Sequence, residues 1–281
     1  MKAALTRLAR ELGFSAIGFT NAEIDEHLRV VLMQAGERDV ERRVNPFLIL
    51  PEAQSIIVLL TSYYTGLTGN IASYAFGRDY HRVMLEGCRV LEELLKSKGY
   101  QAKAFCDTGD LCDRWLAYRA GLGFFGKNHF LIHPQFGTYT FIAHIVTDCL
   151  LKPDKPMERT CDGCGACIRA CPGHVLGGAG FARSRCLSDI TQRKGALTAE
   201  EEQLIRDSGC AWGCEICQQV CPHNRGLQPT GNPAFCADLI TELYLEEGIS
   251  QREFKRRYGD RAFSWRGKQP LLRNLKLLEK D

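Results

Sequence analysis

The sequence has no apolar run long enough to cross a bilayer. Its longest, such as residues 55–60, fall far short of the roughly 20 residues a spanning helix needs. It also lacks an export-type N-terminus. Residues 1–14 read as an amphipathic helix containing Glu11, with no continuous apolar stretch and no small-residue cleavage site. Charge of one sign is missing too: 36 Lys and Arg stand against 33 Asp and Glu, for a net +3. Such mild basicity permits a nucleic-acid partner without arguing for one. These absences lead us to expect a cytoplasmic protein with no membrane partner. At 281 residues and 45% hydrophobic, the chain can build one large or two modest domains.

Cysteine is not scarce. Of 14 cysteines, nine crowd between Cys161 and Cys221 at short repeated spacings. Without an export signal, metal ligation explains them better than disulfides.

Pattern and composition suggest an α+β chain in three parts. Residues 1–155 read as an α/β domain, with helices expected at 2–12, 22–35, 80–97 and 110–120. Strands are expected at 16–19, 55–63, 101–106, 130–133 and 138–147, the last two as a hairpin turning at 134–137. A polar, proline-bearing linker leads into a cysteine module at 156–228. A short basic segment at 229–281 reads as two or three helices.

The first cysteine run is Cys161, Cys164, Cys167, Cys171 and Pro172, or C-x2-C-x2-C-x3-C-P. Three closely spaced thiolates reach three corners of an iron–sulfur cube, and the fourth ligates the other cluster in two-cluster ferredoxins. The second run, Cys214, Cys217, Cys221 and Pro222, lacks its first ligand because Ala211 stands there. Either Cys186 or Cys210 can complete it. C-x2-C also suits zinc, but the two C-x3-C-P endings favour two [4Fe–4S] clusters. By reciprocal ligation one takes Cys161, Cys164, Cys167 and Cys221. The other takes Cys171, Cys214, Cys217 and one of the two candidates. His174 and His223 are surplus to eight thiolates.

Gly121, Gly123 and Gly126 spell G-x-G-x-x-G. They follow an expected helix and precede a strand, so a dinucleotide site is not expected and helix termination explains them. Asp107 is expected after a strand and at a helix start. It is either an N-cap or an acid facing a cofactor.

The segments Phe76-Gly-Arg-Asp-Tyr-His81, Asp107-Thr-Gly109, Arg119-Ala-Gly-Leu-Gly123 and Gly126-Lys-Asn128 precede the array in order. Ser184-Arg-Cys186-Leu-Ser188 and Gly213-Cys-Glu-Ile-Cys217-Gln-Gln-Val-Cys221-Pro222 complete the set. Together, over about residues 10–275, they resemble the epoxyqueuosine reductases. The resemblance implies a cobalamin- and [4Fe–4S]-dependent enzyme that reduces epoxyqueuosine to queuosine in tRNA. It implies an N-terminal cobalamin-binding domain, with the corrin between that domain and the ferredoxin-like module. Asp107 matches the proton donor, kept partly protonated by burial, and Cys186 matches the fourth ligand of the second cluster. Arg43, Asp107, Lys127, Asn128, Ser188 and Gln192 match cobalamin contacts. An external low-potential electron donor and a monomer are expected.

The chain also departs from the family pattern. With its end at Asp281, it is expected to lack the helical-repeat domain of many members. Cys210 replaces an arginine, and Pro172-Gly173-His174 replaces Pro-Thr-Gly. Two rival readings stand beside the first: a corrinoid reductase of a small molecule, like a reductive dehalogenase, and a ferredoxin-type electron carrier. The cations from Arg252 to Lys276, with Tyr258, Phe263 and Trp265 among them, favour tRNA. A solvated helix face with buried aromatic anchors is the plainer alternative.

Overall fold

The computed structural model describes residues 1–178 and 180–279. The last two positions of the 229–281 segment therefore lie outside the described residues. The chain divides into two compact units, Met1–Ser62 with His81–Cys161 and Tyr63–Tyr80 with Asp162–Asp281.

The first unit contains α1 (Lys2–Glu11), β1 (Ala16–Asn21), α2 (Glu26–Gln34), α3 (Val40–Val44) and β2 (Ser55–Ser62). It continues with α4 (Tyr80–Ser97, from His81 on), β3 (Ala102–Cys106), α5 (Asp113–Arg119), β4 (Phe124–Phe125), β5 (Leu131–Ile132) and β6 (Thr140–Thr147). Four strands form an antiparallel sheet in the order β1-β2-β6-β3. All eight residues of β2 are buried, so both faces of the sheet are covered and its apolar run need not alternate. On one face Ile56, Val58 and Leu60 join Leu116 and Ala117 of α5. Along α4, Met84, Cys88, Leu91 and Leu95 are buried at helical spacing, while Val90 is exposed.

Local chemistry moves several expected boundaries. Helix α2 starts at Glu26 because the Asp25 carboxylate accepts from the Leu28 N–H at 2.8 Å. The expected hairpin between 130–133 and 138–147 does not form. Residues 134–137 turn and His133 bridges Gly137, but β5 pairs with β4, and β6 pairs along its whole length with β2. An eight-residue ladder to a buried strand outweighs a two-residue one. The glycine motif ends a helix, as expected. Gly121 is left-handed at φ +70°, and the N–H groups of Gly121 and Leu122 donate to the carbonyls of Tyr118 and Ala117, a Schellman stop.

The second unit is made of short helices: α6 (Ala166–Ala170), α7 (Leu187–Gln192), α8 (Ala199–Ser208), α9 (Ile216–Gln219), α10 (Pro233–Cys236), α11 (Gln251–Tyr258) and α12 (Lys268–Leu278). Its core gathers Ile71, Phe76, Trp212, Phe254, Phe263 and Leu271. Side chains clasp the connecting loops. The wholly buried Asn274 donates to the carbonyls of Thr191 and Ala211, each at 2.8 Å. Among the described residues no helix is long and apolar enough to cross a membrane.

Candidate active site

Asp107 lies just past the end of β3, but it starts no helix. Helix α5 begins six residues later, with Cys112 at its N-cap position. The N-cap reading is therefore wrong. Asp107 has φ +60°, and the Thr108 N–H donates to the Cys106 carbonyl at 2.6 Å across it. This is a tight γ-turn, a sparsely populated conformation for a residue with a side chain. Burial does not shield its carboxyl either: the side chain is 62% exposed. Partial protonation by burial was expected, whereas the turn projects the carboxyl outward. His81, on the first turn of α4, brings Nε2 to 3.2 Å from Asp107 Oδ2.

The other expected contacts in this unit have separate settings. Arg43 donates to the Asp110 carbonyl at 2.8 Å, so it braces the far side of the Asp107 loop. Lys127 is exposed. Asn128 is buried, and its Oδ1 accepts from the Phe130 N–H at 3.3 Å.

Seven of the eight expected cluster cysteines lie in the second unit, and Cys161 is the last residue of the first. Gly163 and Gly165 adopt left-handed φ of +69°, which lets the Cys161–Cys167 loop coil tightly. Cys167 and Cys171 pack in one buried cluster with Cys186 and Cys217 at its edge. Burial pushes the Cys217 thiol up to about 12, and the neighbouring Cys171, Cys186 and Cys167 add to the shift. Burial likewise raises Cys186 and Cys214, and each of these three feels at least one other cysteine of the group. Such mutually close, half-buried sulfurs resist ionisation unless a cation compensates them, so the donor set fits an iron–sulfur group. Cys210 also neighbours Cys214, but its thiol is engaged, donating to the carbonyls of Trp212 at 3.3 Å and Gly213 at 3.5 Å.

Gln192 donates from Nε2 to the Ser188 carbonyl at 2.8 Å and accepts from Trp265 Nε1 at 3.3 Å. Trp265 is 61% exposed, with the Arg266 guanidinium 3.7 Å from its ring centre. Phe263 is fully buried and Tyr258 packs on it, so these two are core anchors. Several cations of the tail are held within the fold: Arg261 donates to the Phe76 carbonyl, and Arg273 to those of Arg193 and Gly195. His174 is exposed, while His223 faces Asp162 at 3.3 Å. Outside the array, Cys88, Cys106 and Cys149 are buried, Cys112 is half-buried and Cys236 is exposed.

Sequence reasoning gave no role to His81, although it stands in a quoted motif, nor to Glu215 between two cluster cysteines. Glu215 is buried and accepts from the Ser73 N–H at 3.0 Å, the Ser73 hydroxyl and Gln219 Nε2. A carboxylate in the midst of a cysteine run was the available signal. The pair of buried His144 and half-buried Asp113 was also missed, and a histidine inside a largely apolar strand was its only trace.

Comparison with known proteins gives concordant results. The family model "Epoxyqueuosine reductase QueG, DUF1730" matches residues 43–108, and "4Fe-4S double cluster binding domain" matches residues 160–224. The epoxyqueuosine reductase of Bacillus subtilis (strain 168) is 36% identical over 98% of this chain and 77% of its own length. That of Pseudomonas aeruginosa is 30% identical over 95% of this chain and 81% of its own. A crystal structure of epoxyqueuosine reductase with an epoxyqueuosine-modified tRNA stem loop superposes with a TM-score of 0.90 at 33% identity. It covers 99% of this chain and 80% of the other. A structure of epoxyqueuosine reductase from Bacillus subtilis, with an aspartate-bearing catalytic loop swung out of the active site, gives 0.89 at 33% identity, with the same coverage. A catabolic reductive dehalogenase shares the fold alone, at 17% identity and a TM-score of 0.53.

Proposed function

Because this chain belongs to the epoxyqueuosine reductase family, we propose that it is an oxidoreductase that reduces epoxyqueuosine to queuosine in tRNA. The observation that carries this reading is the 36% identity to a named epoxyqueuosine reductase over 98% of the chain. A relative bound to a modified tRNA stem loop supports tRNA over a small-molecule substrate.

The 4Fe–4S double-cluster domain spans residues 160–224. Its proposed ligands are Cys161, Cys164, Cys167 and Cys221 for one cluster, and Cys171, Cys186, Cys214 and Cys217 for the other. Cys186 is preferred to Cys210 because Cys186 packs at the edge of the buried cysteine cluster, whereas the Cys210 thiol is engaged by two carbonyls. Cobalamin is the proposed second cofactor, and when bound it supplies a strongly reducing cobalt centre. Its proposed contacts are Arg43, Asp107, Lys127 and Asn128 in the first unit, with Ser188 and Gln192 in the second. Residues 1–155, 156–228 and 229–281 are the proposed functional divisions. The enzyme is taken to work in the cytoplasm, as a monomer fed by an external low-potential donor.

Asp107 is the proposed catalytic acid. Reduction of the epoxide to the olefin takes up two electrons, supplied by the external donor, and two protons, and releases the oxygen as water. The Asp107 carboxyl, thrust out by the left-handed turn, would deliver one of those protons to the departing oxygen. His81, 3.2 Å away, fixes which way the carboxyl faces. Asp107→Asn keeps the size and removes the acid. It should retain clusters and corrin while abolishing conversion of epoxyqueuosine-containing tRNA, read by mass spectrometry of digested nucleosides. Undiminished turnover in that variant removes Asp107 from the role. Corrin bands absent after anaerobic reconstitution would remove cobalamin.

A further inference from the structure

The loop that carries Asp107 starts and ends on one pair of side chains. Phe105 of β3 and His144 of β6 are direct cross-strand partners, and their rings stack with centroids 5.3 Å apart and planes 23° from parallel. The chain leaves β3 at Cys106, turns at Asp107 and falls back over this pair at Gly109. A Cβ on Gly109 would lie 2.9 Å from Phe105 Cβ and 3.2 Å from His144 Cε1, so only glycine fits there. The loop then ends at Asp113, whose Oδ1 accepts from His144 Nδ1 at 2.5 Å. His144 is fully buried and the Asp113 side chain is 16% exposed.

This arrangement is costly for a residue that merely fills space. His144 Nε2 is buried without a hydrogen-bond partner, which is unfavourable. A phenylalanine would fill the same place and stack equally on Phe105. What histidine adds is the Nδ1–H bond to Asp113, short and charge-assisted. That bond ties the first turn of α5 to a central strand of the sheet and so fixes the far end of the loop. The near end is fixed by β3 itself.

We propose that Asp113 and His144 are positioning residues that hold the Asp107 turn in place. The catalytic consequence rests on the reading of Asp107 as the proton donor; the effect on the loop does not. His144→Phe keeps the stacked ring and removes the Nδ1–H. Asp113→Asn keeps an oxygen that can accept. In His144→Phe, hydrogen exchange in the 107–112 loop should accelerate. The kcat on epoxyqueuosine-containing tRNA should fall by up to about 10²-fold, the scale of a 1 Å misplacement, with KM for the tRNA and the cluster and corrin spectra unchanged. Asp113→Asn should stay near native in both readouts. If His144→Phe does not fold, Asp113→Ala carries the same expectation as it does. Native loop exchange and kcat in these variants, with only a lowered Tm, would show an ordinary core contact and overturn the proposal. Faster loop exchange alongside a native enzyme inactive on that tRNA would support the positioning role and remove the tRNA reading instead.

Discussion

The two units bury their cores by different means. In the first, long strands and an 18-residue helix cover each other with aliphatic side chains, and β2 is buried along its whole length. In the second, α6, α9 and α10 have five, four and four residues. Helices that short do not persist alone in water. They are kept in place by buried polar clasps such as Asn274 and Glu215, and by the cysteines proposed to grip the clusters. The difference teaches that a sheet can be specified by apolar pattern, whereas a cofactor module is specified by spacing and by its ligands.

The largest test of that contrast is metal removal. Reconstituted Cys217→Ser should hold about four irons instead of about eight. Its amides in 161–171 and 213–222 should exchange faster, while those of β2 and β6 keep native protection. Equal loss of protection in the sheet would erase the distinction. Next is Leu59→Ala, at a fully buried position of β2. It should cost about 2–5 kcal/mol, read as a lower denaturation midpoint with unchanged slope, and the cluster spectrum should stay native.

A smaller effect is expected from Glu215→Ala. It leaves the Ser73 N–H and hydroxyl without their buried acceptor, costing about 1–3 kcal/mol. Glu215→Gln, which keeps an acceptor oxygen, should recover part of this in the same denaturation assay. A loss as small as that of an exposed carboxylate would remove the clasp from the comparison.

The smallest effect belongs to His133 in the first unit. Burial pushes its imidazole down to about 4 from 6.5, and Nδ1 accepts from the Gln135 N–H at 3.1 Å, which requires the neutral ring. The folded form therefore binds fewer protons than the unfolded chain between these values. Its contribution is complete above about pH 6.5 and is lost as pH falls toward 4. Stability of His133→Gln should decline less steeply across that window. An unchanged slope would show that the ring titrates normally.

Much of this was legible in one dimension. The spacing of Cys161 to Cys171 and of Cys214 to Cys221 pointed to the double-cluster domain, because a cube of fixed size dictates how far apart its thiolates stand along a loop. Helix α4 was readable from its helical periodicity and strand β2 from its apolar, β-branched run, both local properties. The G-x-G-x-x-G stretch was rightly read as a helix stop, since its neighbours on both sides are local too.

What the tertiary structure decided concerns residues remote in sequence. Only the fold shows that β6 pairs with β2 and β3 while β5 pairs with β4, since pairing partners compete across the whole chain. Only the fold shows Asp107 exposed on a left-handed turn facing His81, where local sequence suggested a helix start. The Asp113–His144 bond joins a helix start to a strand 31 positions on, and no local pattern encodes a contact that exists only once both are packed.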